Sequence, residues 1–112
     1  MYSHILVPVS FDENRNASAA LKVANILRDK GGQVTLLHVM EQVPSYAISY
    51  ISGEFREDTK AAVRQALAEL AAGLDGAEVV VIEGQSGRTI LDWADQHGTD
   101  CIIIAPHRPG MP

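Results

Sequence analysis

Ile5-Leu6-Val7-Pro8-Val9-Ser10 is a short apolar run that closes on a proline, a valine and a serine. A strand with one wet face alternates polar and apolar residues, whereas one buried on both faces is apolar throughout, so this stretch reads as a buried strand. Pro8 has no N–H to donate, which places the end of the strand there and its loop at the carboxyl edge of a sheet.

Working outward, Ala17, Ala20, Leu21, Ala24 and Leu27 recur at helical spacing, with Val23 and Ile26 widening the stripe and Lys22, Asn25, Arg28 and Asp29 falling elsewhere. That pattern predicts an amphipathic helix, and Gly31 and Gly32 are expected to stop it, since glycine reaches the left-handed conformation of helix ends. Val34 to Met40 is β-branched and leucine-rich and predicts a second buried strand. Residues 41–53 show no period and read as a loop with room for a short turn of helix. Val63, Leu67, Leu70 and Leu74 mark a second helix. Asp75 and Gly76 break it before a third strand, Glu78 to Ile82, dense in β-branched residues. In the turn Gly84-Gln85-Ser86-Gly87, Ser86 is placed to cap a third helix carrying Ile90, Leu91 and Ala94, which Gly98 ends. Cys101 to Ala105 is the fourth apolar run, and the tail Pro106 to Pro112 can be neither helix nor central strand.

Strands alternating with helices predict an α/β fold with an open parallel sheet. Right-handed crossovers put every strand-to-helix loop on one edge, where such sheets bind ligands at the switch in strand order. Function is therefore expected in residues 8–16, 39–53, 84–88 and 105–112.

The 112 residues, 46% hydrophobic and 21% charged, make one domain spanning 1–112 and bury roughly 65% of the unfolded surface. Cys101 is the only cysteine, so no disulfide forms within the chain, which fits the cytoplasm. A net charge of −5 without a basic cluster argues against nucleic acid as a partner. No apolar run reaches the roughly 18 residues of a membrane span, and the N-terminus lacks a signal pattern. No membrane association is expected, and the chain is expected to stay in the cytoplasm.

Several tenants of this architecture are excluded by what is missing. There is no GxGxxG and no Walker loop, and no second cysteine for thioredoxin chemistry. Asp12 and Asp100 do not fill the places of a phosphoacceptor response regulator. His4, His38, His97 and His107 sit at spacings unrelated to a metal site, so no metal ligands are assigned.

What remains is a combination: Ile5 to Ser10, Leu36-Leu37-His38-Val39, Glu83-Gly84-Gln85-Ser86 followed by Ile90-Leu91, and Ile102-Ile103-Ile104-Ala105-Pro106-His107-Arg108-Pro109-Gly110. In order and spacing this resembles the universal stress protein family over essentially the whole chain. The resemblance implies a Rossmann-like three-layer sandwich of the adenine nucleotide alpha hydrolase-like kind, five parallel strands with helices on both faces, usually homodimeric. One branch of the family binds ATP between the loops after strands one and four, which implies ATP or another adenine nucleotide, with magnesium, as ligand. The binding residues that the resemblance then points to are Pro8, Val9, Ser10, Val39, Gly84, Ala105, His107 and Arg108. Ser10 stands where the ATP-binding branch has an aspartate, Val39 where the backbone meets the adenine edge, and His107 at a polar position of the phosphate loop. The glycines of that loop fall here on Ala105 and Arg108. Its later glycine and hydroxyl residues, and the final helix and strand of the family pattern, lie beyond Pro112. The C-terminally incomplete pattern leaves Ile102 to Ile104 near an open edge that invites pairing, and a longer chain or another chain is expected to complete it.

Individual side chains carry competing roles. Arg108 and His107 read either as contacts to an anion, with charge replacing the close approach of glycine, or as a solvated loop. Ser10 bonds a ribose or its own loop. Gly84 and Gly87 serve the turn, a nearby ligand, or both. Tyr46 and Tyr50 stack on a base or cover their own helix. His38 is expected to be a satisfied core histidine, Cys101 a core thiol, Trp93 a helix-packing residue, and Glu54, Glu57 and Asp58 favourable charges in a helix's first turn.

Taken together, the residues and the resemblance predict a cytoplasmic regulatory or sensor domain with an adenine nucleotide pocket. No residue is an evident general base, and slow ATP hydrolysis at most is expected, because Ser10 occupies the place of the carboxylate it needs. The alternative is a dimeric interaction module without nucleotide, favoured by Ala105 and Arg108. A pyrophosphatase-like or flavoprotein-like relative is weaker, since its glycine-serine phosphate loop after strand one is absent.

Overall fold

The computed structural model describes residues 1–11, 17–41, 45–50 and 53–105. Along the chain these form β1 (Tyr2–Pro8), α1 (Ala17–Leu27), β2 (Arg28–Met40), a 3-10 turn (Ser45–Tyr50), α2 (Gly53–Ala71), β3 (Glu78–Glu83), α3 (Ser86–Gln96) and β4 (Cys101–Ile102). The strands make one 4-stranded sheet of order β3-β2-β1-β4, and each pairing is parallel. The chain builds β1, β2 and β3 in one direction and then sets β4 on the other side of β1, so the order switches between β1 and β4.

Alternation along the strands divides the core between two faces. Ile5, Val7, Val34 and Leu36 pack with Ala20, Leu21 and Ala24 of α1 and Leu67 of α2. Leu6 and Leu37 face the other way, against Trp93 and Ala94 of α3. Ile5, Leu6, Leu36 and Leu37 are fully buried, each contributing about 1.5–3 kcal/mol over an exposed position. Helices on both faces give the expected three layers, and the apolar character of β1 and β2 on both sides follows from them.

Local expectations are corrected in several places. α1 ends at Leu27, before the glycine pair, and Gly31 and Gly32 lie inside β2. The register moves from Tyr2↔Arg28 to His4↔Gln33, so β2 carries extra residues in a bulge. Gly31 there has a left-handed φ of 79°, which glycine adopts without a Cβ penalty. Val23 and Ile26 do not widen the buried stripe: they are 43% and 74% exposed. The cap of α3 is Gln85, not Ser86. Gln85 has extended backbone, and its side chain accepts from the Arg88 N–H at 3.1 Å, so Ser86 is already helical. Only Glu54 of the three acidic residues falls in the first turn of α2. β4 is shorter than expected, although the Ile103 N–H continues the ladder to the Leu6 carbonyl at 2.9 Å. As the fourth run predicts, it lies at a sheet edge, with Ile104 68% exposed.

At the amino edge of the sheet, the Asp100 carboxylate accepts from the Ser3 and His4 backbone N–H groups, each at 3.0 Å, and from the Ser3 hydroxyl at 3.1 Å. The backbone bonds from Ser3 and His4 hold this carboxyl below the ordinary aspartate range. His4 Nδ1–H donates to the His97 carbonyl at 3.0 Å, leaving Nε2 3.2 Å from the hydroxyl of fully buried Thr35. Trp93 stacks on His97 at 3.9 Å and takes the edge of His4 at 5.8 Å. The packing role expected for Trp93 is thus met, with two histidine partners that no local pattern announced.

Candidate functional site

Parallel strands bring their carboxyl ends to one edge, and the switch between β1 and β4 opens a crevice there. A cavity of about 570 Å3 occupies that position. The end of β1 contributes Pro8, Val9 and Ser10, and β2 contributes Leu37, His38 and Val39 with Glu41 just beyond. The start of α3 supplies Ser86, Gly87, Ile90 and Leu91, and the β4 side supplies Ile102, Ile104 and Ala105. The lining is chiefly aliphatic, and Glu41 is the one formally charged side chain among its described residues.

Two backbone-anchored contacts hold the β1 end in place. The Val9 N–H donates to the Leu37 carbonyl at 2.8 Å. His38 Nδ1 lies 2.7 Å from the Val9 carbonyl, and because a carbonyl only accepts, that nitrogen carries the hydrogen. His38 is satisfied as expected, but half-buried, and it lines the cavity as well. Phe11 tilts over its ring at 5.1 Å.

Of the residues selected from sequence, Pro8, Val9, Ser10, Val39 and Ala105 converge on this cavity. Gly84 does not line it. Its N–H donates to the Met40 carbonyl at 2.9 Å, and a Cβ there would strike the Thr89 hydroxyl, so its role is to press the turn against α3. Gly87 does line the cavity, with open space where a Cβ would stand. His107 and Arg108 lie outside the described residues, as does the loop over residues 12–16. Tyr46 and Tyr50 are 80% and 87% exposed, so neither covers its own helix. The selection missed Glu41, Ile90 and Ile104. The signal for Glu41 was the strand period itself, which carries Leu37 and Val39 on to residue 41.

The sequence model of the Universal stress protein family matches residues 1–111. This chain belongs to the universal stress protein family. Universal stress protein A homolog 2 of Coxiella burnetii is 26% identical over 113 residues, covering 95% of this chain and 76% of that relative. Among solved structures, the hypothetical protein MJ0577 superposes with a TM-score of 0.72 at 26% identity, over 92% of this chain and 74% of that one. The universal stress protein UspA from Lactobacillus plantarum superposes at 0.68 with 24% identity, over 99% and 81%, a likeness that speaks to fold. The α/β parallel fold and the family expected from the four loop motifs are both established.

For this universal stress protein, the donor set bears on a magnesium ion. Among the described residues no group of three His, Cys, Asp or Glu side chains could hold a metal. The described residues therefore do not fit a protein-held magnesium. Cys101 is a free, half-buried thiol, its pKa pushed up by burial and then by the neighbouring Asp100 charge, so it is a weak nucleophile. Among the described residues no helix is long and apolar enough to cross a membrane.

Proposed function

We propose that this universal stress protein binds an adenine nucleotide, ATP above all, in the carboxyl-edge cleft and acts as a homodimeric cytoplasmic sensor or regulator. The observation that carries this reading is the convergence of Pro8, Val9, Ser10, Val39 and Ala105, chosen from sequence, on one aliphatic cavity at the strand-order switch. A planar base fits between aliphatic walls, with the Val39 backbone at its edge as the family resemblance implies. Ser10 lies within reach of a ribose, and the phosphates extend toward the start of α3. Binding is read as regulatory because Ser10 stands where the resemblance implies the aspartate of the ATP-binding branch, a group suited to positioning a metal and water for phosphoryl transfer. Titration calorimetry of the full chain with ATP and magnesium tests the reading: heat of binding is expected, and none at millimolar ligand removes it.

A second reading, an interaction module without nucleotide, is supported by the departures at Ala105 and Arg108 and by apolar side chains left in solvent, Leu91 at 63% and Ile104 at 68%. Nucleotide carried through purification, seen by absorbance after denaturation, counts against it.

A further inference from the structure

Two helices share one face of the sheet, α2 over β3 and β2, and α1 over β2 and β1. With the strand order β3-β2-β1-β4, β4 projects past both. Cys101 and Ile103 stand on that face, packed against the edge of the same core and only half-buried. The two flanks of α1 differ in character. Ser18, Lys22 and Asn25 line a groove against Glu69 and Leu70, so the polar flank, with the one charge of this helix, is turned toward α2. At about 100° per residue, Val23 and Ile26 fall on the opposite flank, toward β4, and they are 43% and 74% exposed. An amphipathic helix keeps its polar side for solvent, and here the flank without a neighbour is the apolar one. Because α1 runs back along the strands it connects, Ile26 near its end is level with Cys101 at the start of β4, and Val23 lies about 4.5 Å along toward the level of Ile103.

A protruding apolar helix beside an uncovered strand is a ridge beside a recess. A two-fold axis parallel to the strands carries the ridge of each copy into the recess of the other, which is the condition for an isologous interface. We infer that two copies of this chain meet at this corner, with their α1 helices side by side and parallel, Val23 against Val23, and Ile26 of each copy over Cys101 of the other. The inference rests on the homodimer reading above and names its surface. Each copy contributes a ridge and a recess, each about 16 Å long and about 10 Å wide, so about 300 Å2 in all. That is well under the roughly 800 Å2 a side of a stable interface, and the dimer is therefore reversible. Charge selects a second copy over an acidic or basic partner. Val23, Ile26, Cys101 and Ile103 carry no formal charge, while each chain carries −5, so two copies repel away from the contact and salt tightens their association. An oppositely charged partner would be released by salt.

Sedimentation equilibrium of the full chain tests this, over about 5 to 500 μM and at low and about 0.5 M salt. A monomer–dimer equilibrium is expected, shifted toward dimer by salt. Ile26→Glu buries an unpaired charge in the contact and is expected to weaken association at least about tenfold, while the exposure of Ile26 keeps the urea midpoint near that of the parent. In Ile26→Cys, oxidation with diamide is expected to give a disulfide-linked dimer on a non-reducing gel, formed with Cys101 of the second copy. Ile26→Cys combined with Cys101→Ser gives none, and neither does the parent, whose two Cys101 side chains stand on opposite sides of the contact. A dimer that survives Ile26→Glu, or the absence of a linked dimer from Ile26→Cys, overturns this surface and leaves the homodimer reading standing. A parent chain that stays monomeric throughout overturns both.

Discussion

α3 begins at one edge of the sheet and ends at the other, and the two edges are built on opposite principles. At the amino edge, polar groups are locked to each other: Asp100 to Ser3 and His4, His4 to His97 and Thr35, His97 to the Trp93 carbonyl at 2.8 Å. At the carboxyl edge, aliphatic walls surround a cavity in which Glu41 is the one formally charged member among the described residues and has no described partner. Satisfied polar groups fix a geometry, while an open apolar cleft with few polar groups is what a small ligand requires. The contrast assigns anchoring to one edge and recognition to the other, within a single helix.

The largest break in that comparison comes from Trp93→Ala. Trp93 is 9% exposed and packs on Leu6 and Leu37, so its loss costs about 3–5 kcal/mol in urea unfolding followed by circular dichroism. A cost under about 1 kcal/mol removes the anchoring role. Gly84→Ala, at the turn into α3, costs about 1–3 kcal/mol through overpacking on Thr89. The φ of 159° at Gly84 resists a side chain as well, so adding Thr89→Ala should recover only the share due to the hydroxyl clash, and a double variant no better than Gly84→Ala refutes the steric account.

A smaller, pH-dependent effect is expected from Asp100. Its carboxyl titrates lower in the folded chain than in the unfolded one. The stabilisation is therefore present in full above about pH 3.9 and fades as pH falls through the lower folded-state value. Unfolding midpoints of the parent and Asp100→Asn should differ at neutral pH and converge in acid; a gap that persists in acid contradicts this. Gly87→Ala sharpens the comparison from the other edge. With open space at its Cβ position, stability stays within about 0.5 kcal/mol, while ATP binding weakens because the methyl enters the cleft. Unchanged affinity would detach Gly87 from the site.

Much of the fold was legible. β1 and β2 announced burial on both faces, and Leu67 with its helical neighbours announced α2, because burial against a flat sheet leaves a period in the chain. The errors share one cause. The end of α1 was drawn to Gly31 and Gly32, yet those glycines serve a bulge against β1, with a Cβ on Gly32 only 3.0 Å from the Tyr2 carbonyl. Ser86 had the composition of a cap, but the backbone at Gln85 decided which side chain reaches the Arg88 N–H. Tyr46 and Tyr50, read as stacking on a base or covering their own helix, stand in solvent, which excludes the second role. The amino-edge cluster escaped altogether, since Ser3 and Asp100 meet across 97 residues.

Hydrophobic period and the alternation of strands with helices are properties of the chain read in one dimension, and they alone settled a parallel α/β sheet and the edge at which its loops gather. Which loop residues share the cleft was decided only in three dimensions. Strand register and helix packing put Ser10, Glu41, Gly87 and Ala105 around one cavity and turned Gly84 away from it. No local pattern encodes that, because contacts between distant segments depend on how far each strand slides against its neighbour.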